Sequence, residues 1–112
     1  MNAKRVSKMS EIVNLNAADV RSALDAGEIT LVDVREPHEF AARHVAGSIN
    51  VPLSSFDPDT LPNDPGKPVV FMCAGGVRSA RAIEATLAAG LPWNKHLAGG
   101  INAWIQAGEP TE

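Results

Sequence analysis

Apolar, β-branched runs alternate along this chain with segments of helical spacing, and that alternation constrains the fold more than any other feature. Glu11 to Leu15, Thr30 to Val34, Ser48 to Val51, Pro68 to Met72 and Lys95 to Ala98 read as strands. Pro68-Val-Val-Phe-Met72 is apolar on both faces, the pattern of a central strand in a parallel sheet. The helices between them announce their ends. Asn16 stands as an N-cap with Asp19 placed to reach back to it, Val20, Ala23 and Leu24 follow at helical spacing, and Gly27 is positioned to close the helix. Pro37 opens a short helix through about Arg43, which Gly47 breaks. Two more helices are expected, Ser79 to Ala89 with Ile83 and Leu87 inward, and Gly100 to Ala107 with Trp104 and Ile105 as core residues. Leu53 to Lys67 carries Pro58, Pro62, Pro65 and Gly66 and reads as a loop with room for one helical turn. Strands alternating with helices imply a parallel sheet covered on both faces, so the class is α/β.

A chain of 112 residues accommodates one such domain and buries enough surface to need neither disulfides nor metal. Cys73 is the single cysteine, so no intramolecular disulfide can form. The longest apolar runs, such as Val69 to Ala74, fall far short of the ~18 residues that suggest a membrane span. Residues 1–10 are polar and basic without the apolar stretch of a secretory signal; they read as a flexible basic tail ahead of a domain spanning residues 11–110. The expected setting is therefore the reducing cytoplasm. Net charge is −3, and residues 9–112 carry seven cations against thirteen acids, the wrong sign for a nucleic-acid-binding face.

The chemistry concentrates after the Pro68–Met72 strand. In open α/β sheets ligands bind beyond the carboxyl ends of the strands, and Cys73 lies there, directly before a glycine-rich turn into a helix. Gly75 and Gly76 let successive N–H groups converge on one point as an anion nest, and the following helix adds the positive end of its dipole. Arg78 supplies a full charge, Arg81 lies one turn on, and no acid occurs between Lys67 and Glu84, so the segment reads as a local positive site. Such surroundings favour the thiolate, lowering a cysteine pKa by ~1–5 units. A lone cysteine is otherwise a small buried hydrophobe; the position favours a working thiol. The pattern Ala-Gly-Gly-aliphatic recurs as Ala74-Gly-Gly-Val77 and Ala98-Gly-Gly-Ile101. The shared turn is structural, and Cys73 and Arg78 are what distinguish the first copy.

Four segments in order resemble the rhodanese-like (sulfurtransferase) domains: Leu31-Val-Asp-Val-Arg-Glu36 with His38-Glu-Phe40, then His44-Val-Ala-Gly-Ser-Ile49 leading to Val51-Pro52, then Cys73-Ala-Gly-Gly-Val-Arg-Ser79, and finally Leu97-Ala-Gly-Gly100 with Trp104. The resemblance covers roughly residues 11–110. It implies a three-layer α/β/α fold around a central, mostly parallel five-stranded sheet. It also implies ping-pong sulfur transfer: Cys73 attacks the outer sulfur of a small anionic donor such as thiosulfate, becomes a persulfide, and passes that sulfur to a thiol or to cyanide. Ala74, Gly75, Gly76, Val77 and Arg78 would form the loop that holds the persulfide, with Arg78 closing it. The resemblance further suggests Asp33, Arg35 and Ser79 as supporting residues, although an ion pair fixing a strand end is the plainer reading of Asp33 and Arg35. The alternative is a rhodanese-like sulfur-relay or protein-interaction module with little thiosulfate turnover.

Related cysteine phosphatases use five residues between cysteine and arginine; the four here, Ala74 to Val77, make a smaller ring that suits sulfur better than a tetrahedral oxyanion. The loop lacks the extra cation beside the cysteine that some thiosulfate-preferring members carry, which leaves the donor open. His38 and His44 are six residues apart and fall on nearly opposite helix faces, so no metal site is expected, and His44 reads as a hydrogen-bonding loop residue. Gly66-Lys67 is followed by Pro68 and no Gly-x-Gly-x-x-Gly occurs, so no nucleotide or other cofactor is expected. Trp93 and Trp104 are expected to pack rather than to touch a ligand. His96 has no partner that sequence identifies.

Overall fold

The computed structural model describes residues 12–112. The expected tail over residues 1–10, and Glu11 at the start of the first strand, lie outside the described residues. The elements run β1 (Val13–Leu15), α1 (Ala17–Asp25), β2 (Thr30–Asp33), α2 (Pro37–Ala42), β3 (Ile49–Asn50), β4 (Val69–Met72), α3 (Val77–Ala88), β5 (Lys95–Leu97) and α4 (Gly100–Gln106). The five strands form one sheet in the order β1-β5-β4-β2-β3, and every pairing is parallel. β4, the strand that Cys73 directly follows, therefore sits in the middle and is buried along its whole length.

Alternation along the strands divides the core in two. Leu31, Val70, Met72 and Leu97 face one side, where α1 brings Ala17 and Val20 and α4 brings Ile101 and Trp104. Val32, Val34, Val69, Phe71 and Cys73 face the other, where α3 brings Ala82 and Ile83. The result is the expected three layers. Local signals fix several boundaries. The Asn16 side chain accepts the Asp19 N–H at 2.8 Å, a cap worth about 1 kcal/mol. Gly27 follows α1 with φ +71°, and Pro37 begins α2. Between β3 and β4 the chain makes two short 3-10 turns, Leu53–Ser55 and Pro58–Thr60, where one was expected.

Two expectations need correction. Helix α3 begins at Val77, not Ser79, because Gly76 caps it from the left-handed region (φ +111°) rather than through a side chain. Arg78 thus stands within the helix's first turn. In α4 the core residues are Ile101 and Trp104, whereas Ile105 is 37% exposed. Residues three apart share a helix face; Ile105 is rotated about 100° from Trp104 and leaves it.

The second Ala-Gly-Gly segment does more than turn the chain. Its Gly99 and Gly100 take φ +79° and +59°, which brings the start of α4 against the end of β4. There the Ile101 N–H donates to the Cys73 carbonyl at 2.8 Å and the Asn102 N–H to the Ala74 carbonyl at 3.1 Å. A Cβ at Gly100 would collide with both carbonyl oxygens. Both groups involved are backbone, so relief requires the two segments to separate. Gly100→Ala is expected to destabilise the domain by about 1–3 kcal/mol or more, read as a lower urea midpoint at unchanged slope.

Candidate active site

Cys73 directly follows β4 and its side chain turns into the layer between the sheet and α3, where the residue is 1% exposed. It is buried, as a structural thiol would be, yet its sulfur is met by polar groups. The Gly76 N–H donates to Sγ at 3.0 Å, and the Ser79 hydroxyl lies 3.5 Å away. Gly76 reaches this position because its backbone is left-handed, a conformation that folds residues 74–76 back over the sulfur. Burial alone raises the thiol pKa. The Ser79 hydroxyl and the amides of Ser79, Gly76 and Gly75 outweigh it and hold Cys73 below the ordinary thiol value. The nest expected from the glycines is present, and its donors are neutral dipoles.

Arg78 does not stand as a free charge over this loop. Its Nη1 and Nη2 bond the two oxygens of Glu39 at 2.7 and 3.2 Å. The segment around Cys73 has no acid in sequence, but α2 supplies one from 39 residues away. Of the two cations expected to make the segment positive, Arg78 is matched by Glu39, while Arg81 is exposed one turn further along α3. Glu39 is in turn held by the Glu36 N–H, which donates to it at 2.9 Å. Hydrogen bonds from Arg78, then from Glu36, lower its pKa to about 2.

Asp33 and Arg35 form the buried ion pair that the plainer reading expected, at 2.8 Å with side-chain exposures of 0% and 7%. Arg35 also donates to the carbonyls of Arg43, at 2.7 Å, and Glu39, at 3.4 Å. Asp33 at the end of β2 therefore anchors the arginine that ties down α2, and α2 carries Glu39. So the pair supports the loop at one remove, and neither residue is within bonding distance of the sulfur. Ala74 and Val77 contribute backbone to the loop, and Val77 is 69% exposed. His44 bonds the Phe40 carbonyl at 2.8 Å and Glu112 at 3.2 Å, as a loop-fastening residue does. Both tryptophans are core residues: Trp93 packs in the Cys73 cluster, and Trp104 donates its indole N–H to the Pro110 carbonyl at 2.8 Å.

Two residues of the site escaped sequence reasoning. Glu39 was visible only as part of a motif, and nothing in its own neighbourhood pointed to Arg78. His96 is buried, with Nδ1 2.7 Å from the Ser79 hydroxyl and Nε2 2.7 Å from Asn14 Oδ1. A histidine in a strand otherwise made for the core was the available signal. Burial lowers its pKa and favours the neutral ring.

Chemically, the arrangement lowers the cost of a negative charge on a buried sulfur without placing an uncompensated cation beside it. The Glu39–Arg78 pair has its own pH signature. A carboxyl held near 2, against an ordinary value of 4.5, contributes stability that is present above 4.5 and lost as pH falls toward 2. Urea unfolding across that interval is expected to show a steeper loss of stability in wild type than in Glu39→Gln.

Comparison with known proteins agrees with this geometry. The rhodanese-like domain family matches residues 16–107. The chain is 43% identical over 83 residues to an uncharacterized protein of Synechocystis sp., covering 74% of this chain and 46% of that protein. It is 33% identical over 94 residues to the thiosulfate:glutathione sulfurtransferase of Saccharomyces cerevisiae, covering 71% of this chain and 67% of the yeast protein. The crystal structure of a rhodanese-related protein from Thermoplasma volcanium superposes with a TM-score of 0.77 at 37% identity, over 89% of this chain and 97% of that one. The chain thus spans less than half the length of the Synechocystis relative and about two-thirds of the yeast one. The chain belongs to the family of rhodanese-like domains, and the relatives it matches include named sulfurtransferases.

Proposed function

We propose that this protein transfers sulfane sulfur by a ping-pong route through a persulfide on Cys73. The observation that carries the reading is the Gly76 N–H aimed at Sγ at 3.0 Å, from a loop that places four residues between Cys73 and Arg78. In the first half-reaction the Cys73 thiolate attacks the outer sulfur of a donor such as thiosulfate. The S–S bond within thiosulfate breaks, its sulfonate sulfur leaves as sulfite with the electron pair, and Cys73 holds a persulfide whose terminal sulfur is anionic. In the second half-reaction an acceptor thiolate, or cyanide in an assay, attacks that terminal sulfur and the Cys73 thiolate is restored. No net oxidation occurs, and no cofactor or metal is called upon.

The residues divide this work. The amides of Gly75, Gly76 and Ser79 and the Ser79 hydroxyl stabilise negative charge at Sγ, in the manner of preorganised donors that cost no reorganisation when charge develops. Arg78, tied to Glu39, shapes the loop's far end. A single thiol that must remain reduced fits a reducing compartment, and we place the protein in the cytoplasm on that ground. The chain has no helix among its described residues long and apolar enough to cross a membrane.

One observation favours the relay reading of the same chemistry. With Arg78 committed to Glu39, a dianionic donor meets no free guanidinium at the loop, while Val77 offers 69% exposed apolar surface beside it. A persulfide presented by a protein partner would use such a rim.

Intact-protein mass spectrometry tests the proposal. Incubation with thiosulfate is expected to add about one sulfur, ~32 Da, to wild type and nothing to Cys73→Ser, and cyanide should discharge it. Turnover retained in Cys73→Ser would overturn the assignment. An adduct formed far faster from a protein persulfide than from thiosulfate would favour the relay.

A further inference from the structure

His96 is a buried titratable group that the sulfur-transfer steps above leave unused. It sits in β5, where its register partners are Asn14 of β1 and Phe71 of β4, neither of them ionisable. From α3 it meets Ser79, and the Gly76 backbone lies behind its Cε1. The bonds form a chain that ends on the nucleophile: Asn14 Oδ1 to His96 Nε2 at 2.7 Å, His96 Nδ1 to Ser79 Oγ at 2.7 Å, and Ser79 Oγ to Cys73 Sγ at 3.5 Å. Cys73 is the ionisable group reached along it.

The direction of this chain is set by its far end. Asn14 Oδ1 only accepts, so Nε2 carries a hydrogen and Nδ1 of the neutral ring is a bare acceptor. The single Ser79 proton then points to Nδ1 or to the Gly76 carbonyl at 3.1 Å, and the hydroxyl oxygen is left to receive the Cys73 S–H. That polarity suits a thiol. A thiolate needs the reverse, with Ser79 donating to sulfur, and the reverse leaves Ser79 Oγ and a bare Nδ1 facing each other lone pair to lone pair at 2.7 Å. Protonating Nδ1 resolves the conflict.

We infer that His96 is a positioning residue for Cys73: when the thiolate forms, His96 takes up a proton through Ser79, so that thiolate and imidazolium arise together. The inference rests on the reading of Cys73 as the working thiol. In the step, the S–H bond breaks and its proton passes to Ser79 Oγ. The original Ser79 O–H breaks in turn and its proton bonds to His96 Nδ1. The Cys73 S–H electron pair stays on sulfur, Ser79 ends neutral with its new O–H directed at Sγ, and no proton leaves the site. Burial disfavours an isolated imidazolium there, so the charge on His96 is sustained by the thiolate and the two titrations belong to the pair.

Side-chain 15N nuclear magnetic resonance of the full chain, titrated with pH, tests this. Replacing the thiol by a group that stays neutral, Cys73→Ser, is expected to lower the His96 pKa by about one unit, a tenfold loss of proton affinity. Identical His96 titrations in wild type and Cys73→Ser would overturn the inference. Linkage requires the reciprocal effect: in His96→Asn, alkylation of Cys73 by iodoacetamide near neutral pH should slow by about tenfold, and an unchanged pH–rate profile in the folded variant would count against the coupling. The resonance measurement involves only wild type and an isosteric variant, so it decides the matter even if His96→Asn does not fold. Neither measurement uses a sulfur donor. A protein that showed the coupling but formed no persulfide would defeat the proposed function alone, and the converse result would defeat this inference alone.

Discussion

The structure depends on two backbone hydrogen bonds, from the first turn of α4 to the carbonyls of Cys73 and Ala74. A glycine-rich loop is conformationally loose by nature, and its amides can converge on a ligand only if something else restrains them. Here the restraint acts at the start of the loop. With the carbonyls of Cys73 and Ala74 fastened to α4, the chain is held just ahead of Gly76, whose N–H reaches Sγ. The two Ala-Gly-Gly segments are thus partners in space, and Gly100 is where they touch closely enough that no side chain fits. The chain uses one turn to build the cradle and its echo to hold the cradle still.

Charge is handled in a consistent way around that cradle. Asp33 is paired with Arg35, Glu39 with Arg78, and the thiol is lowered by a hydroxyl and three amides. Dipoles held at contact distance in a buried site are little affected by salt, whereas the attraction of an exposed cation would be screened within about 10 Å at 0.1 M. The ion pairs serve instead as fasteners between elements: Arg35 joins the end of β2 to the carbonyls of α2, and Arg78 joins α3 back to α2. Helix α2 buries no residue of its own. Six residues long, it is held in place by these polar ties more than by apolar packing.

Much of this was legible in the chain, for reasons that differ by element. The strands at Thr30 and Val69 were visible because a central parallel strand must be apolar on both faces, and the ends of α1 because Asn16 and Gly27 act on their immediate neighbours. Cys73 and its loop were visible because the cradle is local, contained in seven consecutive residues. The start of α3 was placed two residues late because Gly76 caps with its backbone and leaves no side-chain signal. Ile105 is apolar like its neighbour Trp104, but hydrophobicity alone does not say which face of a short helix a residue occupies. Glu39 and His96 were missed for one shared reason: each completes the site by a contact spanning 39 and 17 residues respectively, to which the local pattern of neither contributes.

The exposure of Val77 has a consequence for how such a site can be altered. The residue gives its backbone to the loop and the first turn of α3, while its side chain, 69% exposed, supports nothing beneath it. Scaffold and rim are separable at that position in a way they are not at Gly76, Ser79 or Gly100. An engineer seeking to retune what approaches Cys73 would have one side chain to vary freely, with the fold and the thiol's ionisation both held by atoms elsewhere. The domain is in that respect modular at the scale of a single residue.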